Sequence, residues 1–138
     1  MGKSFLAILA GYLLMALTVA VATPIAVALF VPPEVRGAKV IILPPAYYVA
    51  DFVLYFAAAV AGGWLTARIA PRNPLAHTAA LTAVIAIVAV LFLAGFGGAG
   101  EPSQVTQPSW YTPAISVTGV VGAMLGGVLR VRGLKLGG

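Results

Sequence analysis

SFLAILAGYLLMALTVAVATPIAVALFV, residues 4–31, contains no charged side chain and only scattered hydroxyls. A helix needs ~20 apolar residues to cross the ~30 Å hydrocarbon core of a bilayer, so this stretch can span it and tilt or project beyond. Pro24 falls late in it and predicts a kink or an exit point. Working outward, three more stretches share the pattern. Residues 46–69 carry Asp51 as their one charge before Arg68, whereas 75–96 and 110–129 are uncharged. The expected fold is all-α: a polytopic membrane protein forming one four-helix domain over residues 1–138, with helices at about 4–31, 46–69, 75–96 and 110–129.

The breaks have the chemistry of loops. Pro32, Pro33, Gly37, Pro44 and Pro45 interrupt the first connection, and Pro71, Asn73 and Pro74 make a tight second one. Gly97, Gly98, Gly100, Pro102, Pro108 and Pro113 punctuate the third. Lys39-Val-Ile-Ile-Leu43 is apolar after its lysine but too short to span. It is expected to lie along the interface or over the mouth of the bundle.

Composition points the same way. Of 138 residues, 62% are hydrophobic and 8% are charged, against about 25% charged in an ordinary globular domain. So little charge cannot clothe a water-facing surface. Cysteine is absent, which excludes disulfides, thiolate zinc sites and a cysteine nucleophile. His77 is the one histidine, so a single copy offers no multi-histidine metal cage. A net charge of +5 would suggest nucleic acid in a soluble chain. Here the basic residues flank apolar segments instead, and no nucleic-acid partner is expected.

Those charges orient the chain. Lys3, Arg68, Arg72, Arg130, Arg132 and Lys135 fall on one side, and Arg36 and Lys39 on the other. The basic-rich side is expected to be cytoplasmic, with both termini inward and the chain in the inner (plasma) membrane. Glu34, Asp51 and Glu101 lie on or near the outer side. Tyr47, Tyr48, Trp110 and Tyr111 would form the outer aromatic belt, with Trp64 toward the inner one. Ala20-Val-Ala22 has the small residues of a signal-peptide cleavage site, but the apolar run continues to Val31, so a retained helix is expected. Met1-Gly2 suggests myristoylation, yet Leu6 stands where that pattern needs Ser or Thr.

Two small-residue stripes mark close helix approach. Gly119, Gly122 and Gly126 share a face of the fourth segment, and Ala58-xxx-Gly62 and Ala59-xxx-Gly63 line the second. They serve either subunit association or packing within the chain. Asp51, about 7 Å below the outer boundary at ~1.5 Å per residue, is a candidate membrane-embedded polar site together with Tyr55, four residues along. It is either a proton- or cation-binding carboxylate, or an interfacial group that reaches water, pairs with Arg36 or Lys39, or accepts from Tyr47, Tyr48 or Tyr55. His77 is expected to bond backbone or water at the interface, with a proton relay or lipid phosphate as the alternatives. Arg68, Arg72, Arg130, Arg132 and Lys135 are expected to contact anionic head groups. Thr18, Thr23, Thr66, Thr78, Thr82, Ser116 and Thr118 are expected to bond carbonyls a turn earlier in their helices.

AGGWLTARIA at 61–70, followed by Pro71 and an apolar helix, resembles small uncharacterised four-helix bacterial membrane proteins. The resemblance covers the second and third segments and implies no activity, so no residue role is carried over. No inverted repeat relates the two halves. Small multidrug exporters are four-helix chains that rely on a glutamate in their first helix, and this first segment has no acid. No nucleophile–base pair, HExxH or phosphate-binding loop is present. The expectation is a non-catalytic membrane subunit without cofactors, homo-oligomeric or accessory to another membrane protein. The alternative is a small transporter coupled through Asp51.

Overall fold

The computed structural model describes residues 2–35, 41–70, 72–95 and 105–136. Helix α1 spans Gly2–Phe30, followed by a 3₁₀ turn at Pro33–Val35 and strand β1 at Ile41–Ile42. Helices α2 (Pro45–Ile69) and α3 (Pro74–Leu93) follow, then strand β2 (Val105–Thr106) and helix α4 (Tyr111–Leu136). All four helices are long and apolar enough to cross a membrane. The shortest, α3 with 20 residues, measures about 30 Å at ~1.5 Å per residue.

Local chemistry fixes most boundaries. Pro45 and Pro74 occupy the first turns of α2 and α3, where proline's missing N–H and fixed φ cost nothing. Between these helices Asn73 takes φ 48°, a left-handed conformation that asparagine tolerates better than most residues. Two boundaries differ from the sequence expectation. Helix α3 ends at Leu93 rather than Phe96, because Gly95 turns left-handed at φ 85° and donates to the Phe92 carbonyl at 3.1 Å. Helix α4 runs past Leu129 to Leu136. The apolar run stops there, but Arg130, Arg132, Leu134 and Lys135 are good helix formers, so the helix outlasts its hydrophobicity. Helix α1 likewise continues through Pro24 to Phe30.

Helix α2 is central. It packs most extensively on α4 and α1, and α3 leans chiefly on α4. Accordingly 33% of the apolar stretch of α2 is buried, against 17% in α1 and in α3. In α1 most of the inward positions are held by small residues. Ala7, Gly11, Met15 and Ala26 are the buried positions of α1, while Phe5, Leu6, Leu13, Leu17, Val21 and Leu29 point outward. Small residues at such positions permit close backbone contact between helices.

One end of the bundle carries a cap. Strands β1 and β2 pair in parallel, Ile41 with Val105 and Ile42 with Thr106. Ile41 and Leu43 bury against Ala26, Val31 and Tyr47, so this segment covers the helix ends. Arg36, Lys39 and Glu101 lie outside the described residues.

Candidate functional site

Asp51 sits in the second turn of α2 and is only 7% exposed. The Tyr111 hydroxyl, from the first turn of α4, donates to Asp51 Oδ2. The pair closes the end of the bundle under the cap. Tyr47, one helical turn before Asp51, is buried beside it, and its ring meets Tyr48 edge-on at 5.9 Å. Tyr48 lies 5.3 Å from the Tyr111 ring. On the other side Phe52 packs edge-on against Tyr111 at 5.8 Å and stacks on Trp110 at 6.4 Å. A carboxylate removed from water needs a donor at hydrogen-bond range, and this aromatic collar holds one on it. Tyr47, Tyr48 and Phe52 come from α2, and Trp110 and Tyr111 from the start of α4, so the clasp ties these two helices at their N-terminal ends.

Tyr55 lies one turn beyond Asp51 on α2. Its ring packs on Gly119, where an added Cβ would stand 2.7 Å from the ring edge. Tyr55 also lines an apolar groove of about 310 Å³ with Tyr12, Met15, Val19, Ile85 and Val88. No hydrogen bond joins Tyr55 to Asp51 among the described residues. Tyr47, Tyr48 and Tyr55, the donors expected from the sequence, all stand near Asp51 in the chain. The donor found lies 60 residues away.

The glycine faces are occupied within the chain. Gly122 meets Phe56 and Ala59, and a Cβ at Gly126 would fall on the Val60 carbonyl oxygen. Gly63 lies against the Ala123 backbone of α4, and Gly62 against the Gly11 backbone of α1. Ala58 joins the core with Met15, Leu81 and Ile85. Helices α2 and α4 therefore run parallel, in contact from Asp51–Tyr111 through Val60–Gly126.

Beyond Gly126 lies the basic end. The Arg68 guanidinium carbon stands 5.1 Å from the centre of the Trp64 ring, and that of Arg130 stands 5.9 Å from it. Arg72 and Arg132 are exposed, and Lys135 belongs to the last turn of α4. His77 Nδ1 lies 3.1 Å from the Asn73 carbonyl, which can only accept, so Nδ1 carries the ring proton. Thr18, Thr78, Thr82, Ser116 and Thr118 bond carbonyls in the preceding turn at 2.7–3.0 Å. Thr66 departs from that pattern. Its hydroxyl is fully buried against Gly11 and has no hydrogen-bond partner among the described residues.

Among the described residues no three His, Asp or Glu side chains converge as a metal site would require. Comparison with protein-family models, curated proteins and solved structures finds no match.

Proposed function

We propose that the chain is a non-catalytic integral membrane protein that crosses the inner (plasma) membrane four times with both termini in the cytoplasm. It serves as a subunit, either of a homo-oligomer or of a larger membrane complex. The observation that carries this reading is the engagement of Asp51. The only carboxylate within an apolar span is held by Tyr111 inside an aromatic collar, so it locks α2 to α4. The charge asymmetry supports the orientation, since the basic side chains Arg68, Arg72, Arg130 and Arg132 gather at the opposite end from Asp51.

A transporter coupled through Asp51 is the second reading, and the burial of that carboxylate is what favours it. Such a site must exchange its proton or cation with water during each cycle. The Tyr111 bond would then have to open and close.

Native mass spectrometry after mild-detergent extraction from the host membrane tests the proposal. Several copies alone indicate a homo-oligomer, co-extraction with larger polypeptides indicates an accessory subunit, and a single copy alone would count against both. Proton- or cation-driven solute flux by the purified chain in vesicles, abolished by Asp51→Asn in a folded protein, would overturn it in favour of the transporter.

A further inference from the structure

Two guanidinium groups share one indole at the end of the bundle remote from Asp51. Arg68 approaches Trp64 from its own helix and Arg130 from α4. Like charges brought to one ring repel each other and raise the local positive potential. Among the described residues no carboxylate pairs with either, since Glu34 and Asp51 belong to the far end. The Arg130 Nε is buried and has no hydrogen-bond partner among the described residues. An unpaired buried donor on a charged group is costly, so this end calls for an acceptor of negative charge.

Trp64 has a second neighbour. Its ring also closes one end of an apolar groove of about 620 Å³, lined along α2 by Phe56, Val60 and Leu65 and on α1 by Leu14. That volume lies within the roughly 300–1,000 Å³ of small-molecule sites. Its floor is open, because Ala57 and Ala61 contribute almost no side chain. Charge and groove meet at one residue. An amphiphile with an anionic head and an apolar tail would satisfy both at once.

We infer that this groove and the Arg68–Trp64–Arg130 cluster form a site for one anionic phospholipid. The phosphate sits at the two guanidiniums, which bind planar or tetrahedral oxyanions through paired N–H groups. One acyl chain lies along α2 from Trp64 toward Phe56. Occupancy neutralises the repulsion between the arginines and braces α2 against α4 at the end the Asp51–Tyr111 clasp does not reach. The inference rests on the membrane reading above, since it requires the cluster to lie at a lipid interface.

The test uses the full chain in mild nonionic detergent, stripped of lipid and titrated with dioleoyl phosphatidylglycerol or dioleoyl phosphatidylcholine. Native mass spectrometry counts bound lipid, and the thermal midpoint is read in parallel. Phosphatidylglycerol should be retained in preference to phosphatidylcholine and should raise the midpoint. The double variant Arg68→Gln/Arg130→Gln should weaken it by roughly tenfold or more, the scale of one lost charge-assisted bond. Ala57→Phe, at an exposed position that fills the groove without touching the core, should weaken it with both arginines intact. Each variant is first shown to keep its helix content and lipid-free midpoint.

Equal retention of the two lipids, or phosphatidylglycerol binding unchanged in the arginine variant, overturns the inference. Inorganic phosphate competing as well as the lipid, with Ala57→Phe silent, would reduce the site to an anion cradle and overturn the groove. Cysteine labelling in whole cells reports the membrane crossing separately, so failure of lipid binding leaves that reading standing.

Discussion

At the residue scale, the bond from the Tyr111 hydroxyl to the buried Asp51 carboxylate joins the N-terminal ends of α2 and α4. A lone carboxylate inside an apolar stretch identifies itself, because nothing else in 46–69 before Arg68 carries charge. Tyr111 was visible only as one of several aromatics expected at an interface. Helical spacing relates neighbours three or four apart, and it is silent about a bond across 60 residues. The bond itself makes a measurable prediction. Tyr111→Phe keeps the ring contacts with Tyr48 and Phe52 and removes only the donor, leaving a buried acceptor unpaired. That should cost about 1–3 kcal/mol in unfolding free energy. Asp51→Leu combined with Tyr111→Phe should cost less than the sum of the two single changes, since no orphan remains. Unfolding in detergent, run as a double-mutant cycle, measures both. Additive costs would mean the two side chains act independently and the clasp does not hold the helices. The Thr66 hydroxyl, buried against Gly11 with no partner among the described residues, is the opposite case: Thr66→Val should be neutral or mildly stabilising, because it removes a desolvated polar atom at nearly constant shape.

At the scale of helices, composition located the four long apolar helices, and glycine spacing located the contacts but could not choose between partners. Gly119, Gly122 and Gly126 advertise a close approach equally well to a second chain or to a neighbouring helix. In the structure α2 meets all three, with Tyr55 on Gly119, Phe56 and Ala59 on Gly122, and the Val60 carbonyl on Gly126. The cap strands left no such trace. A two-residue ladder between Ile41–Ile42 and Val105–Thr106 is too short for alternation to show, and it joins distant loops. Because the glycine faces are spent on internal packing, their enlargement should attack folding before assembly. Gly126→Ala places a methyl group on the Val60 carbonyl oxygen, and Gly63→Ala places one on the Ala123 backbone. Neither obstruction is a flexible side chain that can swing aside, so each variant should lose about 1–3 kcal/mol or more. Gly133→Ala, in the same helix as Gly126 but with nothing within 4 Å of the new methyl, should be neutral or gain up to ~1 kcal/mol from reduced backbone freedom. Thermal midpoints of the three in one detergent compare them directly. A stable Gly126→Ala protein with altered copy number would instead put that face at a subunit boundary.

For the whole molecule, the arrangement of charge and aromatic rings along the bundle axis is what a bilayer would read. Tyr47, Tyr48, Trp110 and Tyr111 gather at one end with Asp51, while Arg68 and Arg130 meet Trp64 at the other. Between them the exposed large side chains are mostly Leu, Val, Ile and Phe. This placing of charge was readable in the sequence, because basic residues at loops and helix ends stand out against apolar segments. The absence of cysteine turns it into a clean experiment, since any introduced thiol is the only one available for labelling. Ser109→Cys, exposed just before α4 at the Asp51 end, and Gly133→Cys, exposed in the last turns of α4, should lie on opposite sides. A membrane-impermeant maleimide should label the first in intact cells and the second only after permeabilisation. Ser4→Cys, at the start of α1, should behave like Gly133→Cys, because an even number of crossings separates them. Reversed labelling of all three would invert the orientation and keep the four spans. Labelling of Ser109→Cys and Gly133→Cys from the same side would mean that α4 does not cross, and the four-span reading would fall with it.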